Sequence, residues 1–155
     1  MGNFQPIDME TWPMAQAFYY YTQMAPTSYT VNVNIDVTIL RKILKERGYK
    51  FFPAYLYSVT KAIAKQPELR VSLQDNILGH WDSLTPTYPQ FSVHNHGIKN
   101  YYVPSFEAGG FTERPDGKIM MPLSVTVHHA TTDGYHLKEF FEELQRTMDT
   151  PHEWL

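Results

Sequence analysis

The chain has 155 residues, 43% of them hydrophobic, 15% aromatic and 19% charged. That is about one domain's length at the usual ~100–200 residues, enough to bury roughly two-thirds of the unfolded surface, which argues against intrinsic disorder. Thirteen Lys and Arg against sixteen Asp and Glu leave a net charge of −3, and there are no cysteines. This argues against a sequence-independent grip on nucleic acid and excludes disulfides, thiolate metal sites and a cysteine nucleophile. No apolar run approaches the ~18–20 residues of a membrane span, and the N-terminus lacks a signal-peptide pattern. The expectation is a soluble, cytoplasmic protein, one domain over residues 1–155, with neither nucleic acid nor membrane as partner.

In chain order, Glu10 to about Tyr21 reads as a short helix with Pro13 in its first turn and Pro26 beyond its end. Tyr29, Val31, Val33 and Ile35 then alternate with Thr30, Asn32, Asn34 and Asp36, the period of a half-buried strand. Thr38 is the expected N-cap of a helix over about 39–47, closed by Gly48. A second helix follows from Phe51, with Tyr55, Leu56, Val59 and Ile63 at helical spacing and Pro67 after its end. Residues 69–73 and 77–82 read as a hairpin across Asp75-Asn76. Further strands are expected over 87–96 and 101–111, with Pro86, Pro89 and Pro104 limiting their central pairing. Pro115-Asp116-Gly117 is a turn signal before a buried strand, Ile119 to Val127. The last helix, about Tyr135–Met148, carries Leu137, Phe140, Phe141 and Leu144 on one side. The whole is expected to be α+β, with helices packed on one mixed β-sheet.

The stretch that carries chemistry is His128-His129-Ala130-Thr131-Thr132-Asp133-Gly134. A buried strand runs into paired histidines, then small residues, Asp-Gly and a helix. A neutral imidazole at a sheet's lip can take a proton from a hydroxyl near neutral pH. On these residues alone, a strand end followed by a helix-capping aspartate is the favoured reading.

Extended by Tyr135 and His136, the stretch resembles the signature of the chloramphenicol acetyltransferase family, whose first part is shared with wider CoA-dependent acyltransferases. Met121 to Val127 is similar to the family's last long strand. Asn34 to Thr38, Lys50-Phe51-Phe52-Pro53-Ala54 and Trp81-Asp82 resemble its N-terminal half in the same order, and Trp12 through Phe18 resembles its opening helix. The resemblance implies acetyl transfer from acetyl-CoA to a hydroxyl of chloramphenicol or a similar alcohol, with no metal. It implies His129 as general base, Asp133 as support of the turn, and a homotrimer whose sites lie between subunits. It also implies an acceptor pocket lined by Tyr20, Tyr21, Ala25 and Thr27, with Glu107 on a strand position facing it. The implied cofactor-side residues are Lys50 and Phe111. The Tyr19-Tyr20-Tyr21 run also admits simple packing on the sheet.

The sequence departs from the family in four ways. The chain is shorter, and the order of matching segments puts a deletion point near residues 88–91. Gln90 stands where the family has an oxyanion-stabilising serine, with Ser92 two positions on; either side chain can donate a hydrogen bond. Met14 occupies the place of an arginine that pairs with the aspartate of the turn. Gly110 and Phe111 stand where a basic residue and a tyrosine are common. An alternative reading is therefore a trimeric scaffold or binding module that keeps the fold without turnover. A third is a metal site on His94 and His96, which share one face of a strand.

Overall fold

The computed structural model describes residues 2–86 and 101–155. Its centre is one long antiparallel pair. Strand β2 (Ser28–Asp36) runs against β7 (Ile119–His128), in register from Ser28 opposite His128 to Asp36 opposite Met120. The alternation in both strands gives each pair two faces. Tyr29, Val31, Val33 and Ile35 with Met121, Leu123, Val125 and Val127 point into the main core. The other face is polar: Thr30 and Thr126 hydroxyls meet at 2.8 Å, and Ser124 donates to Asn32 Oδ1 at 2.6 Å.

Three helices cover the apolar face: α2 (Thr38–Arg47), α3 (Phe51–Ala64) and α4 (Gly134–Asp149). Leu40 and Leu44, Val59 and Ala62, and Leu137, Phe140 and Leu144 are their buried residues against the sheet. Phe140 is fully buried, against Phe106 and Phe141, and burial of a side chain of this size contributes about 1.5–3 kcal/mol. Beyond β7 lie two short strands, β5 (Ser105–Ala108) and β6 (Thr112–Glu113), both paired to it. Between them Gly109 passes so close to Pro122 that an added Cβ would stand 2.6 Å from the proline ring, so the approach requires glycine here.

The α+β class holds, with the helices on one side of a sheet. The strands, however, divide among the described residues into two antiparallel sheets rather than one mixed sheet. The second sheet orders β1 (Phe4–Pro6), β4 (Ile77–Trp81) and β3 (Val71–Gln74). Its hairpin turns at Asp75 and Asn76 with φ of 50° and 63°, the left-handed pair that Asp and Asn tolerate. The short β1, which alternation does not reveal, completes this sheet by lying along β4. Buried Arg70 ties the hairpin to α3: Nη1 donates to the carbonyls of Trp81 and Asp82, and Nη2 to that of Ala64 at the helix's end.

Two helix starts differ from expectation. The first helix, α1, covers only Ala15–Tyr19 and continues as a π-turn over Tyr20–Met24. Its expected first residues are instead held in a turn by Asp8, whose carboxylate accepts from the Glu10 N–H and the Thr11 hydroxyl. Thr38 is the first residue of α2 rather than its cap. Asp36 accepts from both its N–H and its hydroxyl, while Thr38 Oγ1 accepts from the Ile119 N–H. The helix does close at Gly48, with φ of 71°. Of the expected strands, 87–96 lies outside the described residues. The 101–111 strand is shortened to β5, since Pro104 offers no N–H at one end and Pro122, which accepts from the Gly109 N–H at 2.8 Å, has none to return at the other.

Candidate active site

The ladder between β2 and β7 continues one residue past the strand, because the His129 N–H donates to the Thr27 carbonyl at 2.9 Å. Alternation therefore puts His129 on the side of Val127, and His128 on the side of Thr126. The turn that follows is pinned on a single carbonyl: the N–H groups of Thr131 and Thr132 both donate to His128 O at 3.2 Å. Ala130, Thr131 and Thr132 are buried, so the small residues of the motif are those that fit beneath the chain.

The imidazole of His129 is held between aromatic rings. Tyr21 stacks on it with centroids 4.1 Å apart and planes 12° from parallel, and Tyr29 meets it edge-on at 4.9 Å. Its Nδ1 is buried and has no hydrogen-bond partner among the described residues. Any proton exchanged with a bound molecule thus passes through Nε2. The Tyr29 hydroxyl donates to the Thr132 carbonyl at 3.2 Å, fastening strand β2 to the turn. Burial pushes the Tyr29 phenol up to about 12, with the nearby Asp133 charge adding to the effect.

His128 has a different setting. Its Nδ1 accepts from the Ala130 N–H at 3.1 Å, and its ring meets Tyr102 edge-on at 5.1 Å. Burial, then the neighbouring His129, hold its pKa below the usual histidine value.

Asp133 caps α4, accepting from the N–H groups of Tyr135 at 2.9 Å and His136 at 3.2 Å. His136 answers from N3 of the helix: its Nδ1 lies 3.2 Å from the Asp133 N–H and closes a capping box with imidazole in the place usually held by Glu or Gln. Burial pushes the Asp133 carboxyl up, but the donors of His136 and Tyr135 outweigh it and hold the pKa below the usual value. The carboxylate at the turn is thus stabilised by a helix N-terminus and a histidine. His136 also reaches toward Glu68, with Nε2 3.8 Å from its carboxylate. This role of His136 is written in the Asp-x-x-His spacing.

Of the sequence-predicted acceptor residues, the structure brings Tyr21 and Thr27 to His129 directly. Ala25 is linked to them through its carbonyl, which accepts from the Thr27 hydroxyl at 2.7 Å. Tyr20 stands edge-on to Tyr21 at 5.1 Å and is half exposed, as are Tyr19 and Met24 beside it. Glu107 is not in this cluster: it lies opposite Ser124, on the polar face of the sheet, and is exposed. Lys50 is the N-cap of α3, and Phe111 packs edge-on to Phe51 at 4.8 Å. Gln90, Ser92, His94 and His96 lie outside the described residues. Alternation marks Tyr29 only as a residue of a half-buried strand, and no spacing rule signals its bond to the turn. No helix among the described residues is long and apolar enough to cross a membrane.

The family model described as Chloramphenicol acetyltransferase matches residues 2–99 and 89–145. Chloramphenicol acetyltransferase 2 of Escherichia coli is 26% identical over 209 aligned residues, covering 95% of this chain and 98% of the relative. The chloramphenicol acetyltransferase of Staphylococcus aureus is 26% identical over 216, covering 99% of each. Both alignments are longer than the 155-residue chain, so end-to-end matches pass over positions it lacks. Among solved structures, a chloramphenicol acetyltransferase superposes with a TM-score of 0.78 at 21% identity, covering 95% of this chain and 98% of the other.

Proposed function

The chain belongs to the chloramphenicol acetyltransferase family and is an acetyltransferase, and from that premise we propose that it moves acetyl from acetyl-CoA to a hydroxyl of chloramphenicol or a similar alcohol. His129 is the general base. The observation that carries this reading is the seat of that one imidazole, fixed by Tyr21 and Tyr29 with Nδ1 sealed off.

The reaction follows from those constraints. Nε2 accepts the proton of the acceptor hydroxyl as its oxygen attacks the thioester carbonyl. A carbon–oxygen bond forms, the tetrahedral oxyanion collapses, and the carbon–sulfur bond breaks. The proton on Nε2 passes to the departing thiolate, so no acyl-enzyme is needed. Gln90 or Ser92 donates to the oxyanion, a contribution of about 10²–10³ in rate for one donor. Asp133 acts by positioning, through the turn and α4.

The enzyme is a homotrimer with its sites at the subunit seams. Two exposed features support this: the Tyr19-Tyr20-Met24 cluster beside His129, and Glu107 on the opposite face, where it would meet a second subunit's site rather than its own. Tyr20, Tyr21, Ala25 and Thr27 line the acceptor side, and Lys50 and Phe111 the acetyl-CoA side. The chain is a single shortened domain whose missing segment belongs near residues 88–91. The two overlapping matches to the family model, which meet at 89–99, support that position.

The test is thiol release from acetyl-CoA with chloramphenicol as acceptor. The His129→Ala variant should fall by about 10²–10⁴-fold. Equal rates in the two proteins would remove His129 from the reaction, and folded protein without turnover would favour the scaffold reading. Sedimentation should give three times the chain mass; an active monomer would exclude a site at the seam.

A further inference from the structure

The peptide unit between Thr132 and Asp133 ends the turn that follows His129, and it is held from both sides. Its carbonyl accepts from the Tyr29 hydroxyl at 3.2 Å, and its N–H faces His136 Nδ1, also at 3.2 Å. Tyr29 is the ring that meets His129 edge-on at 4.9 Å. One planar unit therefore connects the His136 imidazole on α4 with the ring that braces the base. Because the unit is rigid, a shift on its N–H side moves its carbonyl as well. The Tyr29 hydroxyl then follows the carbonyl or loses its bond.

His136 grips this unit in either of its protonation states. The Asp133 N–H lies 3.2 Å from Nδ1, and Asp133 Oδ1 lies 2.8 Å from the same nitrogen. With a lone pair on Nδ1 the ring accepts from the N–H; with a proton there it donates to the carboxylate. The ring is tied to Asp133 both ways. An alanine at this position offers neither bond, whereas a glutamine amide carries both an acceptor and a donor.

The far edge of the ring is fixed too. Nε2 lies 3.8 Å from Glu68 Oε1, and the two side chains keep only 13% and 25% of their surface exposed. Glu68 stands in the short 3-10 helix Pro67–Arg70, where Leu69 and Arg70 are buried. Arg70 donates to the carbonyls of Ala64, Trp81 and Asp82, so this helix is locked to α3 and to the second sheet. The carboxylate that faces His136 is thus carried by a rigid element.

We propose that His136 is a positioning residue of the acyl transfer: it holds the Thr132–Asp133 peptide so that Tyr29 keeps the His129 imidazole in place, while Glu68 steadies the His136 ring. This rests on the reading of His129 as general base. The test is steady-state thiol release from acetyl-CoA on the full chain, with rates taken per folded protein. His136→Ala should lower kcat about 3- to 30-fold and leave both KM values within about twofold. His136→Gln should restore most of that rate. Glu68→Ala should lower kcat about 2- to 5-fold. In a Tyr29→Phe background, where the bond to Thr132 is already gone, His136→Ala and Glu68→Ala should each cost less than about twofold more. If His136→Ala does not fold, Glu68→Ala in the two backgrounds reads the same coupling. A side chain that only stabilises α4 leaves kcat per folded chain unchanged, or gives losses that multiply in the double variants; either result overturns the proposal, as does a glutamine that fails to rescue. An unchanged kcat in Glu68→Ala removes Glu68 from it. If wild type turns over and His136→Ala matches it, this inference alone falls. If wild type shows no turnover, the reading of His129 falls and this inference with it.

Discussion

At the end of β7, His129 is enclosed by Tyr21, Tyr29 and a turn whose residues are buried; at the start of β7, Phe111 and Arg41 form an exposed platform touched by one further ring. The first region is held by contacts far apart in sequence, such as Tyr29 to Thr132 and Tyr21 to His129. The second is held by a helix surface against a strand end. A base that must meet a proton at one angle needs every degree of freedom removed before substrate arrives. A contact on the acetyl-CoA side tolerates a mobile side chain, because attraction between charges is long-ranged and weakly directional.

The contrast can be broken at several points. Asp133→Ala should have the largest effect on stability, about 1–2 kcal/mol, because the cap of α4 and its link to the turn are lost together; thermal or urea unfolding reads it. Tyr21→Ala removes the stack on His129 and should lower kcat several-fold, in line with about 0.5–1.5 kcal/mol for such a pair, while CoA affinity stays put. A fall in CoA affinity instead would mean the two ends are not independent. Acid should loosen the His129 end selectively. The His128 pKa is depressed by burial and by His129, so its neutral form favours folding; that contribution is present above about pH 6.5 and is lost as the pH falls below it. Tm measured from pH 7 to 5 should therefore drop more steeply for wild type than for His128→Gln. The smallest effect on stability is expected at the platform. Phe111→Ala removes one edge contact and one cation–π contact at a partly exposed site and should change it by about 0.5–1 kcal/mol, while raising the KM for acetyl-CoA.

Much of the molecule was legible in the residues. The alternation from Tyr29 to Ile35 and the run from Ile119 to Val127 named the two central strands and their buried faces. Asp75-Asn76 named the hairpin turn, and Gly48 the end of α2. The opening helix was overextended because propensity does not show that Asp8 captures the N–H groups before it. Nor does periodicity reveal β1, which at three residues is too short for any such signal. The site divides in the same way. His129 and Asp133 stand in a contiguous motif, whereas Tyr29 and Arg41 carry no local mark of what they touch.

By itself the sequence determined which residues alternate, which turns accept left-handed backbone, and where a histidine follows a buried strand, since these depend on neighbours one to four positions away. Only the tertiary structure decided that His129 faces Tyr21 while His128 faces Tyr102, and that Arg41 lies over Phe111. The physical reason is that local periodicity fixes the face a side chain occupies, while its partner depends on the register between strands and the packing of helices distant in the chain.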